Sequence, residues 1–98
     1  MKISFSKSAF NDLENIISYY NGQGVPDVGI KFTRAIIKHI EVLSEHPDIG
    51  RVVPEFEQNH IREIIHKPFR VVYQRDKNSI MVIRVWRSER LLVLPTET

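Results

Sequence analysis

Arginine recurs inside the apolar runs of the carboxy-terminal half of the chain. Arg62 lies in the apolar run 61–65, Arg70 in the run 69–73, and Arg84 in the run 80–86, two residues before Trp86. A guanidinium group is a planar fork of N–H donors that binds phosphate or carboxylate, and an indole ring stacks on nucleic-acid bases. These residue types indicate a surface for an acidic partner, either nucleic acid or an acidic protein segment.

Charge is distributed unevenly along the chain. Residues 1–60 hold 6 Lys and Arg against 8 Asp and Glu, a net charge of −2, whereas residues 61–98 hold 8 against 4, a net charge of +4. Clustered positive charge is costly unless it is solvated or matched. The second half therefore favours an acidic partner, and the alternative is a solvated basic face of a sheet.

Four histidines are candidates for acid–base or metal chemistry: His39, His46, His60 and His66. No pair has acidic neighbours at a spacing typical of a metal site, so we expect no metal and no other cofactor. His66 is close to the arginines in sequence and has the chemistry of a general base, although an exposed histidine at a strand end is the simpler interpretation. Glu55 and Glu63 are expected to pair with Arg51 or Arg62 rather than to act in chemistry.

Two amphipathic helices precede the arginines. The first helix is predicted to begin near Lys7, after Ser6, whose side chain suits a helix cap, and to end in residues 21–24. The second helix is predicted to have Pro26 in its first turn and to run to His46, because Pro47 stops it. Residues at helical spacing form the predicted buried stripes: Ala9, Phe10, Leu13, Ile16, Ile17 and Tyr20, then Val28, Phe32, Ala35, Ile36, Ile40 and Leu43.

Ile30 and Ile37 lie off the main stripe of the second helix. They form either a docking surface for a partner or a wider contact with the first helix.

The strands are expected at Lys2–Phe5, as an edge strand, and at residues 61–66, 69–75 and 79–86, with residues 47–60 as a loop. Alternation along strands places Arg70 and Val72 on one face and Phe69, Val71 and Tyr73 on the other. In the same way Arg84 and Trp86 oppose Ile83 and Val85, so one sheet face carries solvent-exposed arginines. The predicted shared core is Leu13, Phe32, Ile36, Leu43, Val71 and Ile83.

The sequence thus predicts an α+β fold of order β-α-α-β-β-β, in which an antiparallel helical hairpin packs on an antiparallel sheet behind an N-terminal edge strand. Its 98 residues are expected to form one domain, residues 1–98. There is no cysteine and no long apolar run, so we expect a cytoplasmic protein without a membrane partner.

Several motifs together resemble the RelE/ParE toxin superfamily. They are Ala9-x-x-Asp12-Leu13-x-x-Ile16, Gly50-Arg51-x-x-Pro54-Glu55, Arg62-Glu63, Phe69-Arg70-Val71-Val72-Tyr73 and Val85-x-x-x-x-Arg90. The resemblance implies the toxin of a type II toxin–antitoxin pair, which arrests growth when free and forms a hetero-oligomer with its cognate antitoxin. The residues assigned to antitoxin binding are Ile30, Ile37, Leu91, Leu92 and Val93.

The resemblance leaves the cellular target open. The Gly50–Glu55 motif and the paired helices are closer to ParE-like members, which inhibit DNA gyrase and so stabilise plasmids. The alternative is a RelE-like, ribosome-dependent endoribonuclease that cuts messenger RNA with Arg70, Arg87 and Arg90 and with His66 or Tyr73, although residues 87–94 lack part of that set. Further alternatives are a member that acts directly on DNA, and a nontoxic relic or a module that serves only as the partner of an antitoxin. The residues predicted to bind the target or nucleic acid are Arg62, Arg70, Arg84, Trp86, Arg87 and Arg90.

Overall fold

The computed structural model describes residues 1–87, in which two helices pack on a five-stranded sheet. The elements in chain order are β1 (Lys2–Phe5), α1 (Lys7–Gly22), α2 (Pro26–Glu41), a 3₁₀ turn (Val42–Ser44), β2 (Arg51–Val52), β3 (Ile61–His66), β4 (Phe69–Arg75) and β5 (Ser79–Arg87). The sheet order is β1-β5-β4-β3-β2. This confirms the α+β class and the N-terminal edge strand.

Among residues 1–87, no helix has both the length and the apolar character needed to cross a membrane.

The sheet is mixed rather than wholly antiparallel. β1 runs parallel to β5, with Ile3 opposite Ile80, while the other neighbouring strands are antiparallel. Short turns join β3 to β4 and β4 to β5 and so impose antiparallel pairing there. In contrast, β1 pairs with the last strand in the chain, β5, and its direction depends on the path through both helices. A two-residue strand, β2, also forms within the segment that was expected to be a loop.

The helix ends follow local chemistry. The Ser6 hydroxyl accepts a hydrogen bond of 3.0 Å from the N–H of Ala9, which is the predicted cap, and donates one of 2.8 Å to the carbonyl of Ile83. At the other end, α2 stops at Glu41 and the chain tightens into the 3₁₀ turn before Pro47, several residues earlier than predicted. A proline disfavours helical geometry in the residue before it, and 3₁₀ turns are common at helix ends.

The core lies between the helices and one face of the sheet. Its members are Ala9, Leu13, Ile16, Ile36, Ile40, Leu43, Ile64, Phe69, Val71, Tyr73, Ile80, Val82 and Val85, with Phe32 packed at its edge. Gly29 lets the helices approach, because a Cβ there would lie 3.2 Å from the Cα of Ile17. Four of the six predicted core residues are therefore buried members, and Phe32 packs against them.

The prediction that Ile83 belongs to that core is wrong. Val72 pairs with Arg84 and Tyr73 pairs with Val82, so Ile83 is an extra residue at a β-bulge. The bulge shifts the alternation along β5. Ile83 therefore lines a groove on the other face, beside Val72 and Trp86.

Some helical apolar residues face outward. Phe10, predicted to be buried, is 56% exposed, and Val28 is 36% exposed. Ile30 and Ile37 are 40% and 36% exposed, which agrees with their position off the main stripe of α2.

Candidate functional site

The sheet face away from the helices carries the predicted arginines. Arg70 pairs with Trp86 across β4 and β5, and Val72 pairs with Arg84, so these side chains share one face as alternation predicted. Glu63 on β3 lies opposite Val72 and joins the same face. We call this surface the outer sheet face.

Arg70 is buried within the outer sheet face, which corrects the expectation that it is exposed. It is 7% exposed, and its Nη1 and Nη2 atoms each donate a hydrogen bond of 3.2 Å to the Glu55 carboxylate. Its Nε atom lies 2.7 Å from Glu63 Oε1, an ion pair at an angle outside hydrogen-bond geometry. Two carboxylates therefore neutralise one guanidinium.

Glu63 is the buried acid of this cluster. It is 1% exposed and also binds Arg51, as the sequence predicted. Glu55 instead pairs with Arg70, and the hydrogen bonds from that guanidinium are the main cause that lowers the pKa of the Glu55 carboxyl below its ordinary value. The four charges thus form one network that fastens the loop after β2 onto the sheet.

Arg62 lies on the helix-facing side, opposite Tyr73 in the register of β3 and β4. Its Nε donates to the carbonyl of Asn59 at 3.0 Å, and its Nη1 donates to the carbonyl of Gly50 at 2.8 Å. The Asp48 carboxylate lies 3.8 Å from Nε. Arg62 therefore organises the loops around β2, and the expected pairing with Glu55 or Glu63 does not occur.

Tyr73 is fully buried, and its hydroxyl holds the same loop. Tyr73 Oη donates to the carbonyl of Pro47 at 2.8 Å and accepts from the N–H of Gly50 at 3.0 Å. Burial disfavours the charged phenolate and raises the pKa of Tyr73. Both hydrogen-bonding functions of this hydroxyl serve the fold.

Asp12 is a site residue to which sequence reasoning assigned no role. Its carboxylate accepts hydrogen bonds from Arg84 Nε at 2.8 Å, Arg84 Nη2 at 3.0 Å and the N–H of Val85 at 2.8 Å. The hydrogen bond to Asp12 is the main cause that raises the pKa of Arg84. The signal in the sequence was an acid next to a buried stripe residue, Leu13, in the helix-one motif.

Trp86 and Arg87 border a groove between α1 and the end of β5. The groove has a volume of ≈ 330 Å³ and also contains Tyr19, Tyr20 and Phe69 in its wall. The Arg84 guanidinium lies 4.8 Å from the Trp86 ring centre, and the Arg87 guanidinium lies 5.6 Å from the Phe69 ring centre. Aromatic faces and guanidinium groups suit an acidic or planar partner. This groove is therefore a candidate binding site for such a partner.

His66 does not lie with the arginine network. It is partly buried at the end of β3, and its Nδ1 atom lies 3.0 Å from Nδ1 of His39 on α2. Burial, and then the neighbouring imidazole, lower the pKa of His66. Within residues 1–87, no group of three His, Cys, Asp or Glu side chains is arranged to hold a metal ion.

The remaining predicted residues, Arg90, Leu91, Leu92 and Val93, lie outside the described part of the chain. The structure thus brings Arg70, Arg84 and Trp86 to one face and places Arg62, Tyr73 and His66 elsewhere.

Comparisons with known proteins agree with this architecture. The structure resembles a solved chain titled "Chromosomal ParDE TA system from P. aeruginosa", with a TM-score of 0.75, 21% sequence identity, and coverage of 89% of this chain and 95% of that chain. No curated protein matches the sequence. The family model described as the ParE toxin of the type II toxin–antitoxin system parDE matches residues 3–92. The chain therefore belongs to the ParE toxin family of type II toxin–antitoxin systems.

Proposed function

We propose that this toxin arrests growth by binding and inhibiting DNA gyrase, and that a cognate antitoxin neutralises it by forming a hetero-oligomer with it. One observation carries the proposal against the nuclease alternative. Most of the side chains that a ribonuclease would use for acid–base chemistry and phosphate contact are occupied in holding the fold together.

Three of the five nuclease candidates are engaged in this way. Arg70 is 7% exposed and neutralised by two carboxylates, so its charge is not free to stabilise a phosphate. The Tyr73 hydroxyl is buried and bonded to two backbone groups. The ring of His66 faces another imidazole. General acid–base catalysis requires a side chain within hydrogen-bond reach of the reacting proton. Because these three side chains are engaged within the fold, we favour inhibition by binding over cleavage.

The groove beside Trp86 supports a binding role. Its aromatic wall and the guanidinium groups of Arg84 and Arg87 form a partly exposed surface, in contrast to the buried Arg70. Aromatic and arginine side chains are the residue types that most often dominate protein interfaces. We assign target contact to Trp86, Arg84 and Arg87, with Arg90 following in sequence.

The exposed side of α2 supports antitoxin binding. Ile30 and Ile37 lie two helical turns apart and are 40% and 36% exposed, so a complementary apolar segment would remove both from water. The same proposal assigns Leu91, Leu92 and Val93 to the antitoxin contact.

The test compares gyrase inhibition with message cleavage. Purified toxin is added to a gyrase supercoiling assay, and the toxin is also induced in cells while plasmid breaks and message integrity are followed over the first minutes. We expect loss of supercoiling and gyrase-dependent DNA breaks while messages remain intact. Cleavage of messages on ribosomes, with normal supercoiling, would show the nuclease alternative to be correct.

A variant links the effect to the groove. Trp86→Ala should weaken gyrase inhibition at least tenfold, whereas Met81→Ala, a substitution of a 40% exposed residue on the same strand, should leave it unchanged. Arg70→Ala is unsuitable for this purpose, because removal of a buried, paired guanidinium destabilises the fold under either mechanism.

A further inference from the structure

Two histidines far apart in sequence meet between α2 and the sheet. His39 and His66 are 27 residues apart, yet their Nδ1 atoms lie 3.0 Å apart and their ring centres 5.2 Å apart. Both side chains are partly buried. Without a ligand, a hydrogen bond between these atoms requires one ring to carry a proton on Nδ1 and the other to accept it.

The same geometry suits a late first-row metal ion. Zinc binds imidazole nitrogen at about 2.0 to 2.1 Å, so two such ligands at a tetrahedral angle lie about 3.3 Å apart. The observed separation of 3.0 Å is close to that value. A small outward movement of either ring would admit an ion between the two nitrogen atoms.

The surroundings give the pair an open coordination sphere. Because no third His, Cys, Asp or Glu completes a cluster within residues 1–87, water would fill the remaining positions. Arg51 lies in the groove that His39 borders, but Glu63 matches its charge. Imidazole is a preferred ligand of Zn²⁺ and Cu²⁺, whereas Mg²⁺ and Ca²⁺ prefer oxygen.

We propose that His39 and His66 form a two-histidine site for Zn²⁺ or Cu²⁺ that fastens α2 to the end of β3. A bound ion would join a helix to the strand that leads into the β3–β4 hairpin. It would therefore stabilise the folded state in proportion to its occupancy, because an unfolded chain does not hold the two rings together. The site is independent of the gyrase proposal and of the groove beside Trp86.

Calorimetric titration of the untagged protein with ZnCl₂ and CuCl₂ tests the site. We expect one ion per chain, tighter binding of copper than of zinc, and a rise in melting temperature with added zinc. His39→Gln and His66→Gln should each weaken binding at least tenfold. His60→Gln, a change at an exposed histidine of the same chain, should leave binding unchanged.

The number of nitrogen ligands can be measured directly with Cu²⁺, because this ion is paramagnetic. Electron paramagnetic resonance of the copper-loaded protein should show coupling to two nitrogen atoms, reduced to one in His39→Gln. If His66→Gln does not fold, His39→Gln on the helix decides the question. Absence of binding by the natural sequence, or binding that survives both substitutions, would refute the site.

Discussion

The backbone N–H of Gly50 donates a hydrogen bond of 3.0 Å to the hydroxyl of Tyr73, which places the two residues in direct contact under the loop that follows α2. A Cβ at Gly50 would lie 2.6 Å from the carbonyl oxygen of Glu63 and 2.6 Å from Tyr73 Oη. Real Cβ atoms do not approach other atoms this closely. The glycine of the Gly50–Glu55 motif is therefore required by steric contact with the sheet.

Gly50→Ala should strongly destabilise the protein. One of its contacts is a backbone carbonyl that cannot rotate away, so we expect a loss of about 3 kcal/mol, the upper part of the range for overpacked sites. Urea denaturation measures it. Gly22→Ala is the matched control, since a Cβ there meets nothing within 4 Å. Equal stability of the two variants would show that the loop after α2 yields easily.

Tyr73→Phe should cost about 1 to 3 kcal/mol, because it leaves the buried Gly50 N–H and the Pro47 carbonyl without their shared partner. Denaturant unfolding gives the value, and Tyr19→Phe, at a 56% exposed tyrosine, should change stability little. Absorbance titration adds a second readout. The pKa of Tyr73 is raised above the ordinary value of 10.0, so the high-pH part of the titration curve of the natural sequence should be missing in Tyr73→Phe.

Glu63→Gln tests the buried charge network. It leaves the Arg70 guanidinium with Glu55 as its one charged partner among residues 1–87, so we expect a loss of about 3 kcal/mol. The double variant Glu63→Gln with Arg70→Met should lose less stability than the sum of the two single variants, by about 1 to 3 kcal/mol. In the double variant both charged partners of this buried pair are removed, so neither is left without the other. The exposed Glu45→Gln is the control. Strict additivity would mean that the two residues are not coupled.

Glu55 should make stability depend on pH in the acid range. Its folded-state pKa is lowered below the ordinary 4.5, so it stabilises the protein above the unfolded-state value, and this contribution is lost as pH falls through the folded-state pKa. We therefore expect the melting temperature of the natural sequence to fall more than that of Glu55→Gln between about pH 6 and about pH 3. Parallel curves for the two proteins would contradict the ion pair with Arg70.

Asp12→Ala should loosen α1 from the carboxy-terminal end of β5. It removes the acceptor for Arg84 and for the Val85 N–H, and hydrogen bonds to a charged group are each worth about 1.5 to 3 kcal/mol. Because Arg84 remains partly in water, we expect a total loss of about 2 kcal/mol in thermal or urea unfolding. Glu14→Ala, at an exposed acid on the same helix, should have little effect. A similar loss in both variants would point to helix propensity instead.

Local pattern was enough to predict most of the elements. The starts of α1 and α2, the cap at Ser6 and the bounds of β3 and β4 agree with the structure, because helical period, strand alternation and proline or serine chemistry act over a few residues. The motifs likewise placed the chain in the family that the comparison confirmed.

Long-range contacts decided which side chains the sheet buries and pairs. The bulge at Ile83 reversed one face assignment, and Arg70 was buried by Glu55, 15 residues before it. Asp12 meets Arg84 across 72 residues, and His39 meets His66 across 27. Local sequence patterns are sufficient to predict the types of element and the residues able to do chemistry. Which charges face each other follows from the folded chain alone, because it depends on distances between segments that no local period encodes.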